Sequence, residues 1–339
     1  MELTTVWFAL IAILWMGYFA LEGFDFGVGM LIRVLGRTDR ERRVLINTIG
    51  PVWDGNEVWL LVAGGATFAA FPEWYATLFS GFYLPLLLIL VALIVRGLAF
   101  EYRHKREDER WKDRWDTVLF VGSLVPALLW GVAFANILRG VAIDADLEYT
   151  GGFFNLLNPY ALLGGAMTLL LFLTHGAMFI ALKTDGPIRY AARALAVKVG
   201  VVAAVVAVAF LGWTQLNTGD VRSALAFLVA ALALVGGIAA ATAGREGWAF
   251  LGTFVAIAVG VGGLFLALFP DVMPTTLADG TSLTTTNAAA TAYTLKIMTV
   301  VAAIFTPLVL AYQSWTYWVF RKRIAVHHIP EPVLAAGPR

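Results

Sequence analysis

Four carboxylates lie inside long apolar stretches of this sequence and form two pairs. Glu22 is followed by Asp25, and Asp54 is followed by Glu57, so each pair has an i,i+3 spacing that puts its members on one helix face. An ionisable side chain at membrane depth costs several kcal/mol unless it is paired or hydrated, and it usually marks a functional site. The spacing therefore predicts a buried acidic cluster on two neighbouring helices.

Arg96 is the counter-ion expected for this cluster. A rise of about 1.5 Å per residue places Asp25 about 12 Å, and Asp54 about 6–9 Å, from the membrane edge at which Arg33 lies, and Arg96 falls in the same layer. Three interpretations fit: a static ion-pair network that joins three helices, a hydrated proton route that opens to the cytoplasm, and a site for a cationic substrate. The excess of acids over bases favours the proton route, because a purely structural network would not contain it.

The elements that position these side chains are membrane spans. The 339-residue chain is 60% hydrophobic and only 14% charged, whereas a soluble domain needs about a quarter of its residues charged. Its apolar residues fall in runs near the ~20 residues that cross a bilayer. The sequence therefore predicts an all-α integral membrane protein with one polytopic domain, residues 1–323, and a frayed cytoplasmic tail, 324–339. The nine predicted transmembrane spans are 6–32, 50–71, 76–100, 117–138, 159–182, 194–214, 223–243, 247–269 and 291–319.

Basic residues are concentrated in every second connection. Most of the 24 Lys and Arg residues follow the first, third, fifth and seventh spans or lie in the tail, whereas the opposite connections carry mainly acids. Because cytoplasmic loops are enriched in Lys and Arg, the bias predicts an amino terminus outside and a carboxyl terminus in the cytoplasm. The segment 101–116 is expected to be amphipathic and cytoplasmic, and 270–290 to be an external loop.

Few residues could ligate a metal or a haem. The chain has no cysteine, which excludes disulfides, iron–sulfur clusters and cysteine-tethered haem. Of its four histidines only His175 falls within a span, and no second histidine or well-placed methionine forms an axial pair with it. We interpret His175 as a hydrogen-bonded packing residue, and we predict no metal site and no haem site on this chain. Lys296, in the last span, is expected to snorkel outward or to pair with an acid of a partner.

Several blocks of the sequence resemble subunit II of the cytochrome bd-type quinol oxidases. They follow in collinear order over essentially the whole chain, and PVWDGNEVWL at 51–60 is specific to that family. The other main blocks are GFDFGVGML at 23–31, RGLAFEYRHK at 96–105 and GSLVPALLWGVAFANILRG at 122–140. The stretch from 183 to 250 is unspecific and lacks the long hydrophilic insert of some relatives.

The resemblance implies a role in a larger complex. In that family a structurally related subunit I holds haem b, haem d and the quinol-binding loop. The complex oxidises quinol, reduces dioxygen to water and draws its protons from the cytoplasm. The resemblance therefore implies the non-haem member of a heterodimer in a bacterial cytoplasmic membrane, with no catalytic residue of its own. Small single-helix accessory subunits, lipid and quinone are further expected partners, and nucleic acid is not.

The family's site residues carry over to matching positions. By resemblance, Asp54 is the proton-route aspartate and Asp25 its companion on the first span. The neighbouring carboxylates Glu57 and Glu22 are expected, from their spacing alone, to relay protons with Asp25. Trp59 is similar to the tryptophan near the mouth of an oxygen-access tunnel. His175 stands where relatives have glutamine, which argues against a required role for it.

Two other classes of protein remain as alternatives. A proton-coupled secondary transporter would also need intramembrane acids, although such proteins often contain inverted repeats and the GFDFG and WDGNE words do not recur in the second half of the chain. A scaffold with inert acids is the third interpretation.

Overall fold

The computed structural model describes residues 2–330, which are mostly helical. The helices are α1 (Leu3–Leu35), α2 (Asp39–Ile49), α3 (Trp53–Ala70), α4 (Pro72–Gly81), α5 (Tyr83–Tyr102), α6 (Glu109–Arg139), α7 (Pro159–Lys183), α8 (Pro187–Asn217), α9 (Val221–Thr242), α10 (Glu246–Leu268) and α11 (Ala292–Val319). Two short strands, β1 (Asp271–Met273) and β2 (Leu283–Thr284), pair antiparallel within the predicted external loop. α1 is the central helix, since α3, α6, α7 and α10 all pack against it.

Eight of the helices in residues 2–330, α1 and α5 to α11, are long and apolar enough to cross a membrane. The predicted span 50–71 corresponds to α3, which is helical but is not among the eight because its first turns carry the polar sequence from Asp54 to Glu57. The predicted span 76–100 was wrong at its start, because the helix is interrupted at Phe82 and α5 begins only at Tyr83. Pro85 explains the break, since it has no N–H to donate to the preceding turn.

α1 crosses α7 at close range through two glycines. A Cβ added at Gly27 would lie 2.0 Å from the carbonyl oxygen of Phe172, and one added at Gly176 would lie 2.5 Å from the Cα of Gly27. Small residues at such crossings let two backbones approach within the bilayer. The glycine-rich stretch of α1 therefore fixes the height at which its two acids face α3 and α5.

The connections rich in Lys and Arg meet at one end of the bundle, which we call the basic end. It consists of α2, residues 103–116, the turns after α7 and α9, and residues 320–330. α2 begins at a capping box, in which the side chains of Thr38 and Glu41 each accept a backbone N–H of the other. The buried carboxylate of Asp116 binds Arg103 at 2.5 Å and Arg42 at 2.9 Å, which ties α2 to α6.

The prediction of a frayed tail was wrong for residues 324–330. Ile324 forms a parallel bridge with Thr184, and Arg40 donates to the carbonyl oxygens of Val326 and Ile329 at 3.1 and 2.8 Å. Ile329 is only 4% exposed and belongs to the same buried apolar cluster as Val44, Leu45 and Ile49 of α2. These contacts fold the segment back onto the basic end, and the rest of the predicted tail, 331–339, lies outside the described residues.

Candidate functional site

Arg96 of α5 lies at the centre of the predicted acidic cluster and is fully buried. Its Nη1 donates to Oε1 of Glu22 on α1 and lies 3.6 Å from Oε2 of Glu57 on α3. Gly122 of α6 leaves room for the arginine, since a Cβ there would lie 2.8 Å from the Cβ of Arg96. We call Arg96, Glu22, Asp25 and Glu57 the acid–arginine cluster. Its members come from α1, α3 and α5, and α6 packs against it at Gly122.

Three aromatic rings enclose the Arg96 guanidinium. Its Cζ lies 4.9 Å from the ring centre of Phe26, 5.5 Å from that of Phe100 and 6.0 Å from that of Trp53. A cation over a ring face gains about 0.5–2 kcal/mol, with the larger values in the absence of water. The rings therefore stabilise a guanidinium whose Nε and Nη2 have no hydrogen-bond partner among residues 2–330.

Asn56 of α3 connects Asp25 with α11. Its Nδ2 donates to Oδ2 of Asp25 at 2.7 Å, and its Oδ1 accepts from the Tyr317 hydroxyl at 2.7 Å and from Nε2 of Gln313 at 3.2 Å. Trp59 donates from Nε1 to Oε1 of Gln313 at 2.8 Å. Sequence reasoning missed Asn56, Gln313 and Tyr317, although Gln313 and Tyr317 are spaced i,i+4 in an apolar helix and so share one face.

Asp54 stands apart from the other three predicted acids. It lies in the first turn of α3, where the helix dipole favours a negative charge, and its side chain is exposed. In the described part of the chain it makes no hydrogen bond or ion pair. The structure thus brings Glu22, Asp25 and Glu57 together around Arg96 and leaves Asp54 one helical turn before Glu57, at the surface.

The acid–arginine cluster carries more acid than its single arginine neutralises. Glu22 and Asp25 are fully buried, and Oε2 of Glu22 and Oδ1 of Asp25 have no hydrogen-bond partner in residues 2–330. A buried carboxylate without a partner is costly, and binding a proton removes that cost. The arrangement can therefore take up and release protons at carboxyl oxygens beside a fixed positive charge.

His175 of α7 does not fit the role of a haem ligand. Its Nδ1 lies 2.7 Å from the Thr253 hydroxyl and its Nε2 lies 3.0 Å from the carbonyl oxygen of Ala20. The ring also stacks on Phe250 at 4.6 Å. A haem ligand needs one ring nitrogen for the iron, whereas both nitrogens of His175 join α7 to α1 and α10. Within residues 2–330 there is no group of three or more His, Cys, Asp or Glu residues that could hold a metal ion.

Comparison with known proteins identifies the family. Residues 3–320 match the family model of cytochrome bd terminal oxidase subunit II. The chain belongs to this family. It is 46% identical to the cytochrome bd ubiquinol oxidase subunit 2 of Bacillus subtilis (strain 168) over 330 residues, which cover 96% of this chain and 97% of that protein. It is 39% identical to the cytochrome bd-I ubiquinol oxidase subunit 2 of Escherichia coli (strain K12) over 363 residues, which cover 96% of each chain.

The fold agrees with this assignment. A chain from the solved structure of bd oxidase from Geobacillus thermodenitrificans superposes with a TM-score of 0.77 at 15% identity, covering 94% of this chain and 99% of that chain. At that identity the likeness concerns the fold alone. The resemblance found in the sequence is thus confirmed: the chain is a subunit of a bd-type terminal oxidase, an oxidoreductase complex. The transporter alternative has no support in these comparisons.

Proposed function

We propose that this chain is the haem-free subunit of a bd-type quinol oxidase in a bacterial cytoplasmic membrane. It pairs with a subunit I that holds haem b and haem d, where quinol is oxidised and dioxygen is reduced to water. The engagement of both nitrogens of His175 supports this division of labour, as do the relatives named ubiquinol oxidase subunit 2. The tasks left to this chain are to supply protons, to admit dioxygen and to hold its partner.

The proposed topology has nine crossings, with the amino terminus outside and the carboxyl terminus in the cytoplasm. α3 counts as the ninth crossing because its 18 residues span about 27 Å, close to the ~30 Å of a hydrocarbon core. The orientation is supported by the gathering of the Lys- and Arg-rich connections at the basic end, since such connections stay in the cytoplasm.

The proton route that we infer runs from Asp54 into the acid–arginine cluster. Asp54 is exposed and lies at the end of α3 that follows α2, so it can take a proton from the cytoplasmic side. Glu57 is half-buried one turn further along, and Glu22 and Asp25 lie fully buried beyond it. Arg96 holds this layer together by pairing with Glu22. The observation that carries the proposal is the surplus of buried carboxyl oxygens around one guanidinium.

α11 supports the proposed contact with subunit I. Only Leu295 is buried along this helix, and Lys296 is exposed within an apolar span. An ammonium group facing hydrocarbon is costly, so we expect Lys296 to meet an acid of subunit I. Trp59, half-buried and bonded to Gln313 of α11, is proposed to line the dioxygen access path at the same surface.

Other parts of the bundle suit lipid, quinone or single-helix accessory subunits. An apolar cavity of about 320 Å³ lies among α1 and α6 to α10, with Trp130, Phe172 and Phe227 in its wall. Its lining would accept an acyl or isoprenoid chain. The outer faces of α8 and α9 also expose valine and leucine residues and would contact lipid or a single helix.

The proton route is tested by replacing Asp54 and Asp25 with asparagine in the intact complex. Each change removes a titratable group while nearly keeping its shape, so haem content and assembly should persist. We expect quinol-oxidase turnover to fall at least ~10-fold, a barrier increase of about 1.4 kcal/mol. Asp54→Glu should recover part of the loss, because it restores a proton acceptor.

The matched control is Glu109→Gln, which neutralises an exposed acid at the basic end outside the proposed route. It should turn over at the parental rate. Parental turnover in fully assembled Asp54→Asn and Asp25→Asn complexes would refute the route.

A further inference from the structure

Trp59 sets the direction of a hydrogen-bond series that ends on Asp25. An indole N–H can only donate, so the oxygen of the Gln313 side-chain amide must face Trp59. The other end of that amide, Nε2, then points at Asn56 and requires an oxygen there, which is Oδ1 at 3.2 Å. Asn56 is left to present Nδ2 to Oδ2 of Asp25, at 2.7 Å. The orientation of both amides therefore follows from the chemistry of the first donor in the series.

Tyr317 adds a second hydrogen bond to the last amide but does not select its orientation, because a hydroxyl can donate or accept. Its hydroxyl donates to Oδ1 of Asn56 at 2.7 Å, so that one oxygen accepts from two donors of α11. A flipped Asn56 would face the Gln313 NH2 with its own NH2 group and would lose the bond to Asp25. Because Asn56 is fully buried, no bulk solvent would replace that loss.

We propose that Trp59, Gln313 and Asn56 are positioning residues that keep Oδ2 of Asp25 a permanent acceptor, so that Oδ1 alone carries the transferable proton. The inference rests on the proposed proton route through Asp25. When a neighbouring carboxyl gives up its proton, the new O–H bond forms at Oδ1, and it breaks when the proton moves on. Oδ1 is buried and without a hydrogen-bond partner in the described chain, whereas Oδ2 is occupied by Asn56.

The consequence is a direction for proton transfer. Asn56 lies between Asp25 and the thinly packed helix α11, so the amide closes the side of the carboxyl that faces α11. Protons then enter and leave Asp25 at Oδ1, the carboxyl oxygen that Asn56 does not occupy. The series thus gives α11 a role in keeping protons inside the route.

Infrared difference spectra of the intact complex, oxidised against reduced, test the assignment. Asp25→Asn identifies the C=O band of protonated Asp25 by removing it. In Asn56→Leu that band should move to higher wavenumber, because the C=O group loses its hydrogen-bond donor. In Gln313→Leu the Asn56 oxygen loses the one neighbour that can only donate to it, and in Trp59→Phe the Gln313 amide can turn. The band should therefore broaden or split in both variants, since the long contact of Asn56 Nδ2 with the Leu21 carbonyl oxygen, 3.4 Å, holds the amide only weakly.

Thr316→Val is the control and should leave the band in place, since the Thr316 hydroxyl donates to the carbonyl oxygen of Tyr312 in its own helix. A band that stays unchanged in Gln313→Leu and Trp59→Phe overturns the inference even if Asn56→Leu fails to assemble. The absence of any band that Asp25→Asn removes overturns it too. Failure of the proton route itself is a different result, namely parental turnover in Asp54→Asn and Asp25→Asn.

Discussion

Replacing Arg96 with leucine would remove the single positive charge of the acid–arginine cluster. Arg96 is fully buried, and its Nη1 serves both Glu22 and Glu57. Leucine fills much of the volume but leaves Glu22, also fully buried, without its partner. We expect the variant complex to assemble poorly, because α1, α3 and α5 are joined at this side chain.

The expected cost follows from burial on both sides of the ion pair. Removing one member of a buried pair typically costs about 3–5 kcal/mol, since the other charge is left uncompensated. Loss of the cation–π contacts with Phe26 and Phe100 adds about 0.5–2 kcal/mol. Protonation of Glu22 would recover part of this lost stability, so we expect the free energy of unfolding to fall by about 3–5 kcal/mol in total. A second change, Glu22→Gln, should restore part of the stability because it removes the orphaned charge.

The yield of assembled complex after gentle solubilisation and its half-life on heating measure this effect. Arg110→Leu is the matched control, with the same change of charge and size at an exposed position of α6, and it should stay within about 0.5 kcal/mol of the parent. Equal yields and half-lives for Arg96→Leu and Arg110→Leu would show that the Arg96–Glu22 ion pair contributes nothing to assembly. A double variant with Glu22→Gln that is no better than Arg96→Leu would show that the two residues are not coupled.

Three further changes test contacts around the site and at the basic end. His175→Gln should keep the haem spectrum and the yield, because an amide can serve both hydrogen bonds, and selective loss of one haem band would make His175 a ligand after all. Gly27→Ala should lower the heat stability of the complex by about 1–3 kcal/mol, since its Cβ would meet backbone at 2.0 Å, whereas Gly64→Ala, with open space around it, should not. Arg40→Ala should speed amide hydrogen exchange in residues 324–330 by about 10-fold or more, because two hydrogen bonds of about 0.5–1.5 kcal/mol each are lost, and unchanged exchange there would show that the segment is held by other contacts.

The centre of the site was predictable because few residues could form it. The acids at i,i+3 spacing could only be tolerated in apolar runs if they met a base, and Arg96 was the single base in their layer. The rise per residue of a helix was enough to place Asp25 and Arg96 at one height. Local periodicity and the cost of buried charge therefore determined most of the cluster without knowledge of the packing.

The parts that escaped prediction depend on contacts between distant segments. α11 packs along α3 and so brings Gln313 and Tyr317 to Asn56, although 257 and 261 positions separate them from it in the sequence. The spacing of three residues places Asp54 and Glu57 on one side of α3. Whether Asp54 is exposed depends in addition on how α3 is rotated about its axis, which the spacing does not determine. The order of 324–330 likewise comes from Arg40, far away in sequence, although the Thr38–Glu41 capping box that starts α2 was readable locally.

The geometry also bears on the choice between a static network and a proton route. A static network would match each buried carboxylate with a donor on both oxygens, yet Glu22 and Asp25 each keep one buried oxygen unpartnered in the described chain. Arg96 compensates one negative charge, and its aromatic enclosure keeps that compensation in place. The remaining carboxyls gain most when they are neutral, which favours the proposed proton route over a static network. A complex that reduces dioxygen to water consumes protons, and a cluster that holds one beside a fixed positive charge would suit that demand.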